Sequence, residues 1–246
     1  MKRRILITGA TKGIGRSIAK ELASSHSVFI AGRNEKKLEE LCKQINAQDF
    51  FACDLLLADN YKKLFQKASS SLGGVDVIIN NAGEYIWSPV EKTSNDDIER
   101  LLKLNLEIPY KLSVLAAKGM KEQRWGRIIN IGSISGAVGE ANASLYSASK
   151  AGLIGMTKAL GLELAEYGIT INTINPGWVK TDLTEQAFSD NLNEQEELDC
   201  IPQHRFIKPE EIAKLTSYII SDDAKGITGQ SLNPVSYTHL TLPTIL

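Results

Sequence analysis

The 246-residue sequence predicts an α/β domain, a parallel sheet with helices on both faces, on three observations. Short apolar runs alternate with helical patterns from the first residues onward. A glycine-rich turn follows the first run directly. With 43% hydrophobic residues, the chain is long enough to bury one sizeable core.

The runs, in order, are "RILIT", "SVFIAG", "DFFACD", "VDVIIN", "GRIINIG" and "ITINTINPG". They are too continuously apolar for strands with one wet face, so both faces should be covered. Between them, "GRSIAKELASS", "NEKKLEELCKQI" and "DNYKKLFQKASSSL" place apolar residues at three- and four-residue spacing, which predicts helices crossing between parallel strands. No linker, repeat or low-complexity tract interrupts the pattern before the last dozen residues, so a single domain is expected.

A net charge of −1 gives no basic excess for nucleic acid or an anionic membrane surface. Nor does any apolar stretch approach the length of a membrane span. The basic start "MKRR" precedes an apolar run that stops at "GATKGIG", too short for a signal peptide. Cys42, Cys53 and Cys200 lack disulfide or metal-ligand spacing, which predicts reduced thiols, a cytoplasmic location and no metal site.

"TGATKGIG" supplies Gly9, Gly13 and Gly15 where a strand turns into a helix. Absent side chains let backbone approach a pyrophosphate, and the helix N-terminus adds amide donors and a favourable dipole. The second run ends in "IAGRN", with Arg33 and no carboxylate; Lys12 adds a second positive charge from the glycine loop. That pair predicts NADP over NAD, because a 2′-phosphate needs a cation where a bare ribose needs an acid. Further along, "SLYSASKAGL" puts Tyr146 and Lys150 one helical turn apart among small residues. The pair is read as a phenol held beside a cation, able to exchange a proton, in a setting open enough to admit a ligand.

"TGATKGIG", "NNAG" at 80–83, Ser133 in "INIGSISG", "YSASK" and "INPGWVKTD" together resemble the short-chain dehydrogenase/reductase family in its NADP-preferring branch. The resemblance covers residues 1–233, and "IPQHRFIKPEEIA" is similar to 3-oxoacyl-carrier-protein reductases. It implies a single Rossmann-fold domain, doubly wound in order 3-2-1-4-5-6-7, and an NADP(H)-dependent oxidoreductase acting on a small carbonyl or secondary alcohol. By the resemblance, Tyr146 is general acid and base, Lys150 holds the nicotinamide ribose and, with the positively charged oxidised nicotinamide, lowers the tyrosine pKa, and Ser133 bonds the carbonyl oxygen. Asn105 is implied to sit at a helix kink and hold a water linking Lys150 to solvent. Thr8, Gly9, Thr11, Lys12, Gly13, Ile14, Gly15 and Arg33 are implied on the phosphate side. Asp54, Leu55, Asn81, Ala82 and Gly83 are implied around the adenosine, and Pro176, Gly177, Val179 and Thr181 around the nicotinamide amide. A homotetramer or homodimer is implied as well, through the helices around Asn105 and Tyr146.

Substrate contacts are expected from Glu84, Tyr85 and Trp87, from Ile134 to Asn142, and from the segment after Asp182. That segment carries Asp182, Glu185, Asp190, Glu194, Glu196, Glu197 and Asp199 without lysine or arginine. A lid of this sign should repel an acidic carrier protein, leaving Arg124 and Arg127 as candidate basic contacts. Reduction of a 3-oxoacyl-carrier-protein therefore stands as one option beside a small ketone, polyol or cyclic alcohol. A non-catalytic dinucleotide-binding regulator is the alternative of another class. Finally, "PVSYTHLTLPTIL" at 234–246 lacks the family's closing pattern, and Pro234 should end the last strand early. Through Thr244 it matches the translation of a transposase adapter used in DNA library preparation. Residues 234–246 are therefore expected to be a non-native tail, excluded from fold reasoning.

Overall fold

β1 (Arg4–Thr8) and β4 (Val77–Asn80) lie side by side at the centre of a seven-stranded parallel sheet in a computed structural model, in register from Ile5 opposite Val77 to Ile7 opposite Ile79. The structure describes residues 2–181, 184, 185, 188 and 193–236. From β1 the chain winds outward through β2 (Ser27–Gly32) and β3 (Asp49–Ala52). It then returns to β4 and winds the other way through β5 (Gly126–Ile131), β6 (Ile169–Ile174) and β7 (Ser231–Leu232). The order is 3-2-1-4-5-6-7, as the sequence predicts. Reversal of winding between β1 and β4 opens a crevice beyond their C-terminal ends, where open α/β sheets bind ligands.

The alternation of side chains along each strand builds two cores. Ile5, Ile7, Val28, Ile30, Val77 and Ile79 face α1 (Gly13–Ala23) and α2 (Glu35–Ile45) on one side. Leu6, Phe29, Ile78, Ile128 and Ile171 face α3 (Asn60–Leu72) and two of the helices that follow it on the other. Of the four that follow, α4 (Asn95–Leu102), α5 (Ile108–Gln123), the single turn α6 (Ser135–Val138) and α7 (Ser144–Leu164), it is α5 and α7 that pack into this core. Two more, α8 (Glu194–Asp199) and α9 (Pro209–Ile219), precede β7, and α9 packs beside α1 through Ile212, Ala213 and Ile219. Each fully buried isoleucine or leucine contributes about 1.5–3 kcal/mol, and here both faces of every central strand are covered.

Local chemistry sets the element ends. Asn34 caps α2 by accepting from Lys37 N–H at 2.9 Å, and Asn46 closes it in the left-handed region at φ 52. Ser94 caps α4 in the same way, accepting from Asp97 N–H at 3.1 Å. Three strands stop short of the apolar runs that predict them. β3 ends at Ala52, β5 at Ile131 and β6 at Ile174, and after β6 Pro176 has no N–H to continue a ladder. β7 is two residues long and ends before Pro234, whose carbonyl still accepts from Gly177 N–H at 3.1 Å. Pro234 to Ser236 are described, with Val235 buried; the rest of the expected non-native tail lies outside the described residues.

One polar ladder crosses the second core. Asn80 Nδ2 donates to Asn130 Oδ1 at 2.8 Å, and Asn130 Nδ2 donates to Thr157 Oγ1 at 2.9 Å. Thr157 in turn shares a 2.6 Å bond with Thr173. All four residues are buried, so β4, β5 and β6 are joined to α7 by directional bonds as well as by packing.

Candidate active site

The crevice floor is made by two loops sewn together. Thr8 Oγ1, at the end of β1, accepts from the amides of Asn81 and Ala82 at 3.0 Å each. Asn81 Nδ2 returns two bonds of 3.0 Å, to the carbonyls of Thr8 and Gly9. This closeness dictates glycine. At Gly9, φ is +67 and a Cβ would lie 2.8 Å from the Ala82 backbone; at Gly15 it would lie 2.4 Å from the Gly9 carbonyl. Thr8 ties the two loops together and Gly15 packs against Gly9, beneath the residues that line the crevice.

Above this floor is a cleft of about 410 Å³ that runs between the glycine loop and the ends of β2, β3 and β5. Gly9, Thr11, Lys12, Gly13, Ile14 and Arg33 line one end of it. Asp54 and Leu55, after β3, and Asn81, Ala82 and Gly83, after β4, line it too, as do Tyr146 and Lys150 of α7. Lys12 and Arg33 form no ion pair among the described residues. A bare glycine cradle at a helix start, with free cations at one end, fits a dinucleotide whose ribose carries a phosphate.

Asn105 lies on a π-helical turn, Lys103–Glu107, between α4 and α5. It is 1% exposed, and its side chain is fully engaged. Oδ1 accepts from Glu84 N–H at 2.9 Å; Nδ2 donates to the Glu84 carbonyl at 2.9 Å and to Ser149 Oγ at 3.2 Å. The side chain thus ties the 81–84 loop to α7. Glu84 points its carboxylate at Arg100 and lines the cleft, not the substrate wall expected of it.

α7 presents Tyr146 and Lys150 on one face, because four residues make one turn. Lys150 is 5% exposed; its Nζ donates to the Ile131 carbonyl at 2.8 Å and lies 5.6 Å from the Tyr146 ring centre. Burial pushes its ammonium down from 10.5 to about 8. In the protein alone, the Tyr146 phenol moves up. Burial raises it to about 12, the Ser133 hydroxyl opposes that rise, and the Glu140 carboxylate adds to it. Lys150 does not lower it here, since the ammonium is turned to Ile131 and desolvation outweighs the remaining influences.

A second cavity, of about 510 Å³, meets the first at Tyr146. Ser133, Pro176, Gly177, Val179 and Thr181 line it, and Thr181 also lines the cleft. A hydroxyl chain crosses its wall: Ser133 donates to Ser135 at 3.0 Å, and Ser135 donates to Glu140 at 2.7 Å. Tyr85 donates to the other Glu140 oxygen at 2.5 Å and packs edge-on against the Tyr146 ring at 5.0 Å. Trp87, Trp178 and Glu197 complete this wall. Sequence reasoning places the wall within 134–142 and at Tyr85 and Trp87, but it does not single out Glu140 or Trp178. Glu140 is an isolated acid among small residues and carries no pattern.

Arg124 and Arg127 are at the wrong end. They lie at the N-terminal end of β5, whose C-terminal end faces the site. Arg127 is 2% exposed and donates to the carbonyls of Gly126 and Gly168, at 2.8 and 3.1 Å, so neither can meet a ligand at Tyr146.

An open α/β sheet with a glycine cradle at its switch point and a tyrosine–lysine helix at its rim defines a dinucleotide-dependent class of protein. The chain belongs to the short chain dehydrogenases, oxidoreductases whose family model matches residues 3–192. It is 39% identical to a 3-oxoacyl-[acyl-carrier-protein] reductase, FabG, of Rickettsia conorii over 93% of both chains. It is 35% identical to the granaticin polyketide synthase putative ketoacyl reductase 1 of Streptomyces violaceoruber, over 93% of this chain and 90% of that one. Among solved structures, actinorhodin polyketide ketoreductase with NADPH superposes at TM-score 0.91 with 33% identity, over 96% of both chains. Among the described residues, no helix is long and apolar enough to cross a membrane.

Proposed function

We propose that the chain is an NADPH-dependent carbonyl reductase, able to oxidise the corresponding secondary alcohol, with Tyr146 exchanging the proton. The observation that carries this reading is the position of the Tyr146 phenol, at the seam where the cleft and the second cavity meet. When bound, NADPH supplies hydride to the carbonyl carbon. Ser133 and Tyr146 point hydroxyls at the oxygen on which negative charge grows, and Tyr146 delivers the proton that completes the alcohol. Lys150, beside the cleft, takes the role of holding the ribose. Asn105 fixes the 81–84 loop that helps to line the cleft. Pro176, Gly177, Val179 and Thr181 stand where a nicotinamide amide would be held. The test is loss of the reduced-cofactor absorbance with a panel of ketones; no consumption with any ketone refutes the reading in favour of a non-catalytic regulator.

NADPH over NADH is supported by Lys12 and Arg33 in the cleft and by the NADPH of the actinorhodin relative. Arg33→Ala is expected to weaken NADPH binding about 10- to 100-fold, as for one charge-assisted contact, and to leave NADH binding within about twofold. Titration with both cofactors checks this; equal losses would make Arg33 a structural residue.

A second reading, reduction of a 3-oxoacyl group on a carrier protein, is favoured by the names of the relatives. It predicts faster turnover of the carrier-bound thioester than of any free ketone. For assembly we propose a homodimer or homotetramer formed through α4, α5 and α7. Tyr110 and Val114 on α5 are 48% and 52% exposed, beside a groove lined by Leu102, Leu106, Met156 and Leu160. Light scattering at micromolar concentration should give at least twice the 27.0 kDa chain mass.

A further inference from the structure

The cavity beyond Tyr146 has an uncompensated sign. Glu140 and Glu197 both line it, and every partner shown for their oxygens is neutral. Glu140 accepts from the hydroxyls of Tyr85 and Ser135, and Glu197 accepts from Trp178 Nε1 at 2.8 Å. Such bonds satisfy lone pairs but leave the charge in place. Among the described lining residues there is no lysine, arginine or histidine. Residues 182–203 contain none of the three. Residues 237–246 contain no lysine or arginine either. Lys150 belongs to the cleft side and is bound to the Ile131 carbonyl.

The two carboxylates converge on one aromatic group. Burial and Glu140 drive the Tyr85 phenol far above its ordinary value, and Tyr146 and Glu197 add to the rise. Tyr85, Trp87 and Trp178 supply aromatic faces around the same space. Trp178 is held in place by Phe188 at 5.0 Å, which stacks on Phe206 at 5.3 Å. Carboxylates alone would suit any hydrogen-bond donor. Together with ring faces around the same space, they match a positive charge, which gains from both.

We propose that this cavity selects carbonyl compounds bearing a positively charged amine, and the corresponding amino alcohols, with Glu140 and Glu197 holding the ammonium while the carbonyl oxygen lies at Tyr146 and Ser133. This rests on the carbonyl-reductase reading and deepens it by naming the substrate class. It also assigns Glu140 a role beyond fixing Ser135 and Tyr85.

The experiment compares three ketones of matched length that end in an ammonium, a hydroxymethyl group and a carboxylate. The expected kcat/KM is at least about tenfold higher for the ammonium than for the neutral ketone, with the carboxylate lowest, as charged hydrogen bonds imply. Glu140→Gln and Glu197→Gln should each shrink the ammonium-to-neutral ratio. A purely structural Glu140 would lower all three substrates together and leave the ratio unchanged. Equal or better turnover of the neutral or carboxylate ketone, or a ratio unmoved in both variants, overturns the proposal. If none of the three is reduced, the carbonyl-reductase reading fails by itself. Tryptophan fluorescence titration of the free protein with the same compounds then decides the selectivity. Tighter binding of the ammonium ketone supports it, and equal Kd values for ammonium and carboxylate sink it.

Discussion

Tyr146→Phe is expected to lower carbonyl turnover by about 10²- to 10⁴-fold, the range for removal of a positioned proton donor, while NADPH binding changes less than about threefold. The ring stays, so its edge-on contact with Tyr85 and its place beside the cleft survive. Only the hydroxyl is lost. Burial holds that hydroxyl protonated up to about 12, which suits it to donate in the direction of reduction. Oxidation of the alcohol needs the phenolate, so its rate should climb with pH well past neutrality. Turnover by the phenylalanine variant equal to that of the parent would remove Tyr146 from the reaction.

Lys150→Met is expected to give a more stable protein that turns over poorly. The buried ammonium titrates near 8 when folded and at 10.5 when exposed, so at neutral pH the folded state carries a charge it holds less well than the unfolded chain does. One unit of such depression corresponds to about 1.4 kcal/mol. The fall from 10.5 to about 8 thus corresponds to about 3 kcal/mol. Loss of the bond to the Ile131 carbonyl returns about 1 kcal/mol, and the net gain is about 2 kcal/mol, with a Tm higher by several degrees. The sign of the pH effect follows from proton counting. Between about 8 and 10.5 the unfolded chain binds the proton and the folded one does not, so the parent gains stability as pH rises. The advantage of the methionine variant should therefore be full below pH 8 and shrink toward pH 10. Calorimetry of both proteins at pH 7 and 9.5 measures it; a methionine variant less stable at pH 7 would show that the lysine stabilises the fold.

Much of this architecture was legible before any coordinates, for identifiable reasons. Continuous apolar runs such as "RIINI" report strands covered on both faces, and glycine at 9 and 15 reports backbone approach that no side chain permits. The Tyr146–Lys150 spacing is a property of one helix, so sequence alone carries it. Strand ends are less legible, because β6 stops at Ile174 while its apolar pattern runs on. The direction in which burial moves the phenol is not legible either. It depends on how deeply Tyr146 is covered and on where the Lys150 ammonium turns, and neither is a matter of spacing. Arg127 illustrates the same limit: a charged residue that reads as surface is buried against Trp125, with its guanidinium 4.3 Å from the ring centre. The second cavity was legible only in outline, since Glu140, Tyr85, Trp178 and Glu197 come from separate segments and meet only in the fold.

The buried ladder from Asn80 through Asn130 to Thr157 has a consequence for how such a protein diverges. Apolar packing tolerates a helix sliding along a sheet, and a slip of one turn would carry Tyr146 about 5.4 Å away from its partners. The hydrogen bond from Asn130 to Thr157 works as a key in a slot and indexes α7 to the strands. The segments that form the second cavity, around Tyr85, Glu140 and Trp178, hang from other parts of the chain. Those segments can be exchanged through evolution or by design, altering which molecule is accepted, while the reacting phenol and its lysine keep their address on the sheet.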